Sequence, residues 1–457
     1  MSLNLEKYHT HYHAVISLGI PIVIGQTSTI VIGFVDTIMI GRHSTLELAA
    51  AGFINNIIAV LLIFAIGFSG GITPLVGYRY GRGENEGIGG IVKNCLASNS
   101  FLAIVLFVIS CVIYFCLGYL GQPEELLQYM RPYLAVLTLT IPFACWFNVF
   151  KQYFDAIGET KVPMIVLMGG LVINIVGNYL LIYGLQMCGM EIVPEMGLLG
   201  AGIATLIARI AMVVAIIWMF FRLKSNKPFC CGFLRYKVTK RDFCLVTSLS
   251  WPLAMQTGME SASFMLTVVF VGWIGSIPLA AHQVMLTIST LYYMIYCGLA
   301  AAVAVRVSYY HGQCDKEAAE LSVWAGFHII VLVAILLSVP MWLFRHDIGY
   351  LFVDDAEVCG LVASCIPFLI LYQFADGMQC TFGNALRGLA CVKVMMVVSF
   401  IAYFVVSFPL SYVFAFPCRL GLMGIWAAFP ISLVIAATLY CTAFSHYKKK
   451  LFRIKQV

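Results

Sequence analysis

Three carboxylates stand where acids are expensive. Asp376 lies in the middle of the apolar run Ile366–Leu386, Asp36 in the first apolar run and Glu260 in the seventh; the other 18 of the 21 acidic residues fall in loops or near helix ends. A carboxylate at the centre of a bilayer costs about 2.5–3.5 kcal/mol on insertion scales, so such a residue marks an ion or substrate path. Gln256 and Glu260 are four apart, as are Tyr372 and Asp376, so each pair shares one face of a helix. Facing each other, the two pairs form an acidic pocket that takes up a proton, a metal cation or an organic cation. In the first half, Asp36 has candidate partners in Asn174 and Asn178, and Ala201, Thr205 and Arg209 repeat the same four-residue spacing. Asp, Asn and Thr offer hard oxygen donors suited to Na⁺, completed by backbone carbonyls. A Na⁺ site is therefore expected either at Glu260, Asp376 and Tyr372 or at Asp36, Asn174, Asn178 and Thr205. Arg209, one turn beyond Thr205, either modulates this site by pairing with a carboxylate such as Asp36 or snorkels toward the cytoplasmic surface.

The elements that must hold these residues are membrane helices. The chain has 457 residues, 61% of them hydrophobic and 11% charged, about half the charge of a soluble protein. Long apolar runs recur throughout, which predicts an all-α polytopic membrane protein rather than a β-barrel of short alternating strands. Twelve spans are expected near residues 14–40, 46–78, 91–119, 127–154, 162–184, 196–221, 243–273, 278–308, 321–345, 361–387, 392–416 and 421–445. The first run shows no cleavage site, so no removable signal peptide is expected. With both termini in the cytoplasm, cytoplasmic loops and tails hold 22 of the 27 Lys and Arg, and outer loops hold only Arg42, Arg345 and Arg419. That asymmetry sets the orientation. It also accounts for the net charge of +6, which calls for no nucleic-acid partner. The 16 cysteines contain no C-x-x-C pair and read as packing residues. The tract His9-Thr10-His11-Tyr12-His13 reads as interfacial.

Seven basic residues lie in Arg222–Arg241. This stretch divides the chain into an N-terminal lobe (1–221, helices 1–6), a basic cytoplasmic linker (222–241) and a C-terminal lobe (242–457, helices 7–12). The lobes repeat. A shift of 231 positions lays Leu18-Gly19-Ile20-Pro21 on Leu249-Ser250-Trp251-Pro252, Gly67 on Gly298, and Gly77-Tyr78-Arg79-Tyr80-Gly81 on Ser308-Tyr309-Tyr310-His311-Gly312. With small gaps, Asn174 and Asn178 fall on Ser407 and Ser411. An even number of spans per lobe makes the repeat parallel. Pro21 and Pro252, at one repeat position, are candidate hinges. The carboxylates do not repeat: Asp36 aligns with Thr267, and Glu260 with Thr29.

No H-E-x-x-H, G-x-S-x-G or Walker loop is present. The expectation is thus neither an enzyme nor an ATP-driven pump, and no cofactor. Energy must come from an ion gradient. A flippase for lipid-linked oligosaccharides is the alternative within transport, but anionic pyrophosphate lipids call for Lys and Arg in the interior, where this chain places mostly acids.

Three stretches form a pattern of their own: Pro21 followed by Val35-Asp36-Thr37 and Met39-Ile40-Gly41, then Leu279-Ala280-Ala281-His282-Gln283, then Tyr372-Gln373-Phe374-Ala375-Asp376-Gly377 running on to Ala385-Leu386-Arg387-Gly388. In them the chain resembles the multidrug and toxic compound extrusion (MATE) family, in its NorM-like bacterial branch, over essentially its whole length. The resemblance implies antiport of small organic cations, often aromatic, against Na⁺ or H⁺ by a monomer in the bacterial inner membrane and its lipid. It also implies a cation site at Glu260, Asp376 and Tyr372, with Gln256 beside it, and another at Asp36, Asn174, Asn178, Ala201 and Thr205. The chain departs from the family pattern in lacking an acid after Arg387-Gly388 and in carrying Arg209.

Overall fold

The computed structural model describes residues 5–187 and 190–453. Fifteen helices follow one another: α1 Leu5–His43, α2 Thr45–Ser69, α3 Ile72–Gly81, α4 Asn85–Cys116, α5 Glu124–Ala156, α6 Lys161–Ile182, α7 Gly197–Arg222, α8 Lys227–Arg235, α9 Lys240–Ile274, α10 Ser276–Gln313, α11 Lys316–Leu343, α12 Ala356–Gly388, α13 Val392–Phe400, α14 Phe408–Ala415 and α15 Gly421–Arg453. Residues Ile401–Ser407 form a π-helix that joins α13 to α14. Twelve spans are long and apolar enough to cross a membrane, α2 with α3 making one of them and α13 through α14 another. Without water in the bilayer, a chain must satisfy its backbone internally, and a helix does so within each span. The expected helical architecture is thus present, with two local additions. The linker folds as the short helix α8, which packs on α4. Between α6 and α7 stands a small antiparallel hairpin, β1 Leu185–Met187 and β2 Met190–Val193, a stretch too short to register as strands in the hydropathy pattern.

Two of the acids outside the apolar runs serve as caps. The Asp315 carboxylate accepts from the Ala318 amide at 3.0 Å. Asp355 accepts from Glu357 and Val358 at 2.8 and 3.2 Å. Each satisfies amides that a helix start leaves unpaired. At the end of α1, His43 lies between two carboxylates, with Nδ1 2.8 Å from Glu47 and Nε2 2.8 Å from Glu195. It ties α2 and the loop before α7 to α1. At the other end of α1, His11 and Tyr12 bond Ser322 and His328 of α11, each at 2.9 Å.

The chain forms two compact units. The C-terminal unit comprises Met1–Val23, Thr73–Arg82 and Met255–Val457, and the N-terminal unit comprises Ile24–Ile72 and Gly83–Ala254. Each thus takes in helix ends from the other half of the sequence. The boundaries in α1 and α9 fall two residues beyond Pro21 and Pro252, at positions 231 apart. Proline removes one intrahelical hydrogen bond and loosens a helix locally.

Small residues let these borrowed ends pack. In the C-terminal unit, a Cβ on Gly77 would stand 2.0 Å from the Ser308 hydroxyl, and one on Gly312 would stand 2.1 Å from the Tyr78 carbonyl. Gly77 and Ser308 are repeat mates, as are Gly81 and Gly312, whose backbones also touch. In the N-terminal unit, a Cβ on Gly71 would meet the Ser250 hydroxyl at 2.6 Å. Overpacking of this kind typically costs about 1–3 kcal/mol. Gly312→Ala is expected to lower the thermal midpoint of the detergent-solubilised protein. Gly52→Ala, which meets nothing within 4 Å, should leave it unchanged or raise it. Equal midpoints for the two variants would show that the close approach is not required.

Candidate functional site

In the N-terminal unit a run of hydrogen bonds crosses three helices. Asn178 Nδ2 on α6 donates to the Asp36 carboxylate on α1. The same nitrogen lies 3.3 Å from Asn174 Oδ1, and Asn174 Nδ2 donates to Thr205 Oγ1 on α7 at 3.3 Å. The four-residue spacing on α6 stacks the two amides along the helix, so one side chain passes its bond to the next. α6 can lie against α7 because Gly177 faces Ala204, and Gly200 faces the Leu181 carbonyl with no side chain between them. The Oδ1 atom of Asn178 is buried and has no donor. Beside Asp36, Asn174 and Thr205 opens a cavity of about 360 Å³, lined also by Asn55, Tyr133 and Arg209.

Of the residues expected here, Asp36, Asn174, Asn178 and Thr205 come together. Ala201 packs in the apolar core, 1% exposed, with Leu198 and Ile182. Arg209 neither pairs with a carboxylate nor snorkels. Its Nη1 donates to Thr140 Oγ1 on α5 at 2.7 Å, and among the described residues it makes no ion pair. Thr140 and the Tyr133–Asn55 bond of 3.0 Å were not foreshadowed by spacing. They come from α5 and α2, whose rotation about their own axes decides what faces the cavity.

In the C-terminal unit the acids of α9 and α12 meet. Gln256 Nε2 donates to Glu260 Oε2 at 3.2 Å. Tyr403, on the π-helix, stands beside Glu260 and accepts from Gln379 Nε2 at 2.6 Å. Asp376 is 2% exposed and within electrostatic reach of Glu260. One of its oxygens has only the weak Cys380 thiol donor at 3.8 Å, and Oδ2 has no partner. Ionised together, the two carboxylates repel, and a shared cation or proton relieves that repulsion. Tyr372 shares the acidic face of α12, and its ring packs against Trp426 and Phe429 with centroids 6.0 and 6.2 Å apart. Gly377, next to Asp376, admits α11: a Cβ there would stand 2.6 Å from Ile330.

The expected quartet Gln256, Glu260, Tyr372 and Asp376 therefore gathers in one place, joined by Tyr403, Gln379 and Cys380. Two signals could have found these. Gln379 and Cys380 lie three and four residues beyond Asp376 on the same face. Tyr403 lies four before Ser407, the repeat mate of Asn174.

Chains of known family share this arrangement of helices and resemble this chain in sequence. A solved multidrug resistance MATE family transporter in an outward-facing conformation has the same fold, with a TM-score of 0.86 at 18% identity over 97% of each chain. The probable multidrug resistance protein NorM of Photorhabdus laumondii is 28% identical over 93% of this chain and 93% of its own length. The multidrug resistance protein PmpM of Pseudomonas aeruginosa is 29% identical over 96% of this chain and 92% of its own. The family model described as MatE matches twice, over residues 21–180 and again over 252–413. The two matches open on the repeat-equivalent prolines and together span most of the sequence, so the chain belongs to the MatE family.

Proposed function

We propose that this chain is a secondary active multidrug exporter of the bacterial inner membrane, with both termini cytoplasmic. It exchanges organic, mostly cationic and aromatic compounds against Na⁺ or H⁺ by alternating access, as a monomer, since each site is assembled within one chain. One observation carries the reading. In each unit a membrane-embedded carboxylate is met only by neutral donors, with an orphaned acceptor oxygen beside it: Asn178 Oδ1 next to Asp36, and Oδ2 of Asp376 itself. A buried acceptor without a donor costs about 1–3 kcal/mol, and a bound cation or proton removes that cost along with the charge. The relatives named as multidrug resistance proteins support the same reading.

The mechanism follows from competition. Tyr372 and the rings around it accept the flat apolar body of an aromatic cation, while Glu260 and Asp376 take its charge. The same oxygens, and those of Asp36, Asn174, Asn178 and Thr205, suit Na⁺, and the carboxylates alone suit a proton. Filling a site with the coupling cation removes the negative charge that held the compound and releases it outward. The membrane potential supplies about 2.3 kcal/mol per charge per 100 mV. Pro21 and Pro252 act as hinges where α1 and α9 pass from one unit to the other. The lipid-flippase alternative finds no support in the acidic C-terminal site, whose carboxylates would repel a pyrophosphate.

Asp36→Asn, Glu260→Gln and Asp376→Asn keep side-chain shape and remove charge. Each is expected to lower ion-driven efflux of a fluorescent cationic dye from proteoliposomes by an order of magnitude or more while the protein stays folded; normal efflux in all three would reject the proposal. Separate Na⁺ and pH gradients in the same vesicles identify the coupling ion. Linkage adds a reciprocal test. The dye must weaken cation binding by the factor by which the cation weakens dye binding, typically about 5- to 150-fold. Titration of dye binding at several Na⁺ concentrations and pH values measures that factor, and dye affinity indifferent to both ions would refute the competition.

A further inference from the structure

The export reading leaves the outward side of α7 unused. Ile207, Ile210, Val214 and Trp218 stand exposed there at three- and four-residue steps, Val214 by 62% and Trp218 by 58%, so they form one stripe along the helix. Ala211 and Ala215 lie between them, and the six apolar residues line a furrow of about 530 Å³. At 1.5 Å per residue the furrow runs about 16 Å from Ile207 to Trp218. That is roughly half the thickness of a bilayer's hydrocarbon core, the depth of one leaflet.

One turn on, Arg222 continues the stripe. Its guanidinium lies over the Trp218 ring, 5.9 Å from the centroid. Tryptophan is enriched at the headgroup level of a membrane. The chain then turns: Lys224–Asn226 form a single 3₁₀ turn, and α8 starts at Lys227. Asn226 is fully buried and pins this turn. Its Oδ1 accepts from the Tyr153 hydroxyl at 3.1 Å, and its Nδ2 donates to the Phe220 carbonyl at 3.2 Å. The Cys230 thiol donates to the same carbonyl at 3.1 Å. Arg222, Lys224 and Lys227, all exposed, are thus held at the end of α7 on a fixed turn.

Among the described residues none of these three cations has a carboxylate partner. The sequence contains no acid between Glu195 and Asp242. The last helix of the other lobe differs. On α15, Lys448 also lies over a ring, Phe444 at 5.8 Å, but it is paired with Glu320 at 2.6 Å. A zwitterionic headgroup would bring an ammonium that this acid-free stretch cannot meet. An anionic headgroup brings only charge that the three cations attract.

We propose that the furrow of α7 and the turn after it form a binding site for an anionic phospholipid. One acyl chain lies along Ala211 and Ala215, and the phosphate meets Arg222, Lys224 and Lys227. The site stands apart from the export reading and rests only on α7 crossing the bilayer.

Trp218 reports the occupant, because bromine on an acyl chain quenches indole fluorescence on contact. The full-length protein is reconstituted in phosphatidylcholine vesicles, and brominated phosphatidylglycerol or brominated phosphatidylcholine is titrated in. The difference between wild type and Trp218→Phe isolates the share of quenching that belongs to Trp218. A basic side chain near the membrane surface favours anionic lipid about five-fold. Wild type should therefore prefer the brominated phosphatidylglycerol by about ten-fold or more. Arg222→Gln should cut that preference about five-fold, and adding Lys224→Gln and Lys227→Gln should abolish it. Arg345→Gln, which removes the cation over the Trp342 ring of α11, should leave it unchanged. Equal quenching of Trp218 by both lipids, or by neither, overturns the proposal. So does a preference that survives the three basic substitutions, or one that Arg345→Gln lowers as much as Arg222→Gln does. Efflux of a cationic dye is read in the same vesicles: efflux without lipid preference counts against this site alone, and lipid preference without efflux against the export reading alone.

Discussion

A carboxylate that cannot reach water must be met by something, and Asp36, Glu260 and Asp376 are met by amides and a thiol rather than by arginine or lysine. That choice governs the rest of the structure. Neutral donors soften the cost of a buried charge without cancelling it, so Asp36, Glu260 and Asp376 keep an appetite for a positive ligand. A tight internal salt bridge would have made each site inert, since breaking a buried pair typically costs about 3–5 kcal/mol. The helices are long, closely packed and locally glycine-rich because amides and hydroxyls on neighbouring spans must stand within 3 Å or so of one another. Gly177 against Ala204, and Gly377 against Ile330, are the local means.

Much of this was legible from the residues alone, for a definite reason. Twelve apolar runs demand twelve helices, because lipid offers the backbone no other solution. Within a helix, spacing is geometry: Asn174 with Asn178, Gln256 with Glu260, and Tyr372 with Asp376 could be placed on common faces before any coordinates. Contacts that depend on how one helix is rotated against another were not legible. Thr140 meets Arg209, and Tyr403 meets Glu260, through packing that no local spacing encodes. The unit boundaries inside α1 and α9 likewise follow from tertiary contacts, and only the repeated prolines hinted at them.

The two halves share a scaffold and differ in their polar contents. Where the N-terminal half has Asp36, the C-terminal half has Thr267, whose hydroxyl turns back onto the Ser263 carbonyl at 2.8 Å. Where the former has the Asn174–Asn178 ladder, the latter has Ser407 and Ser411, buried and too short to pass a bond along the helix. Duplication preserved what packing requires, such as Gly81 and Gly312. It left the interior polar positions free to diverge, because a hydrogen-bond run needs only that its own members agree. Two sites of different charge balance result, one purely acidic and one with both signs.

The π-helix at Ile401–Ser407 has a consequence for how this protein can change. A π turn carries one more residue than the α turn it replaces, and such turns occur mostly as single-turn bulges inside α-helices, frequently at functional sites. Removing a single residue there would heal the span into continuous α-helix with the faces on either side nearly in their present register, whereas removing one from an ordinary α stretch swings everything beyond it by about 100° about the axis. Frame-preserving deletions in this stretch are therefore unlike those in any other span: here a lost codon removes the extra residue and keeps the faces of α13 and α14 aligned, whereas elsewhere it re-registers a whole helix face.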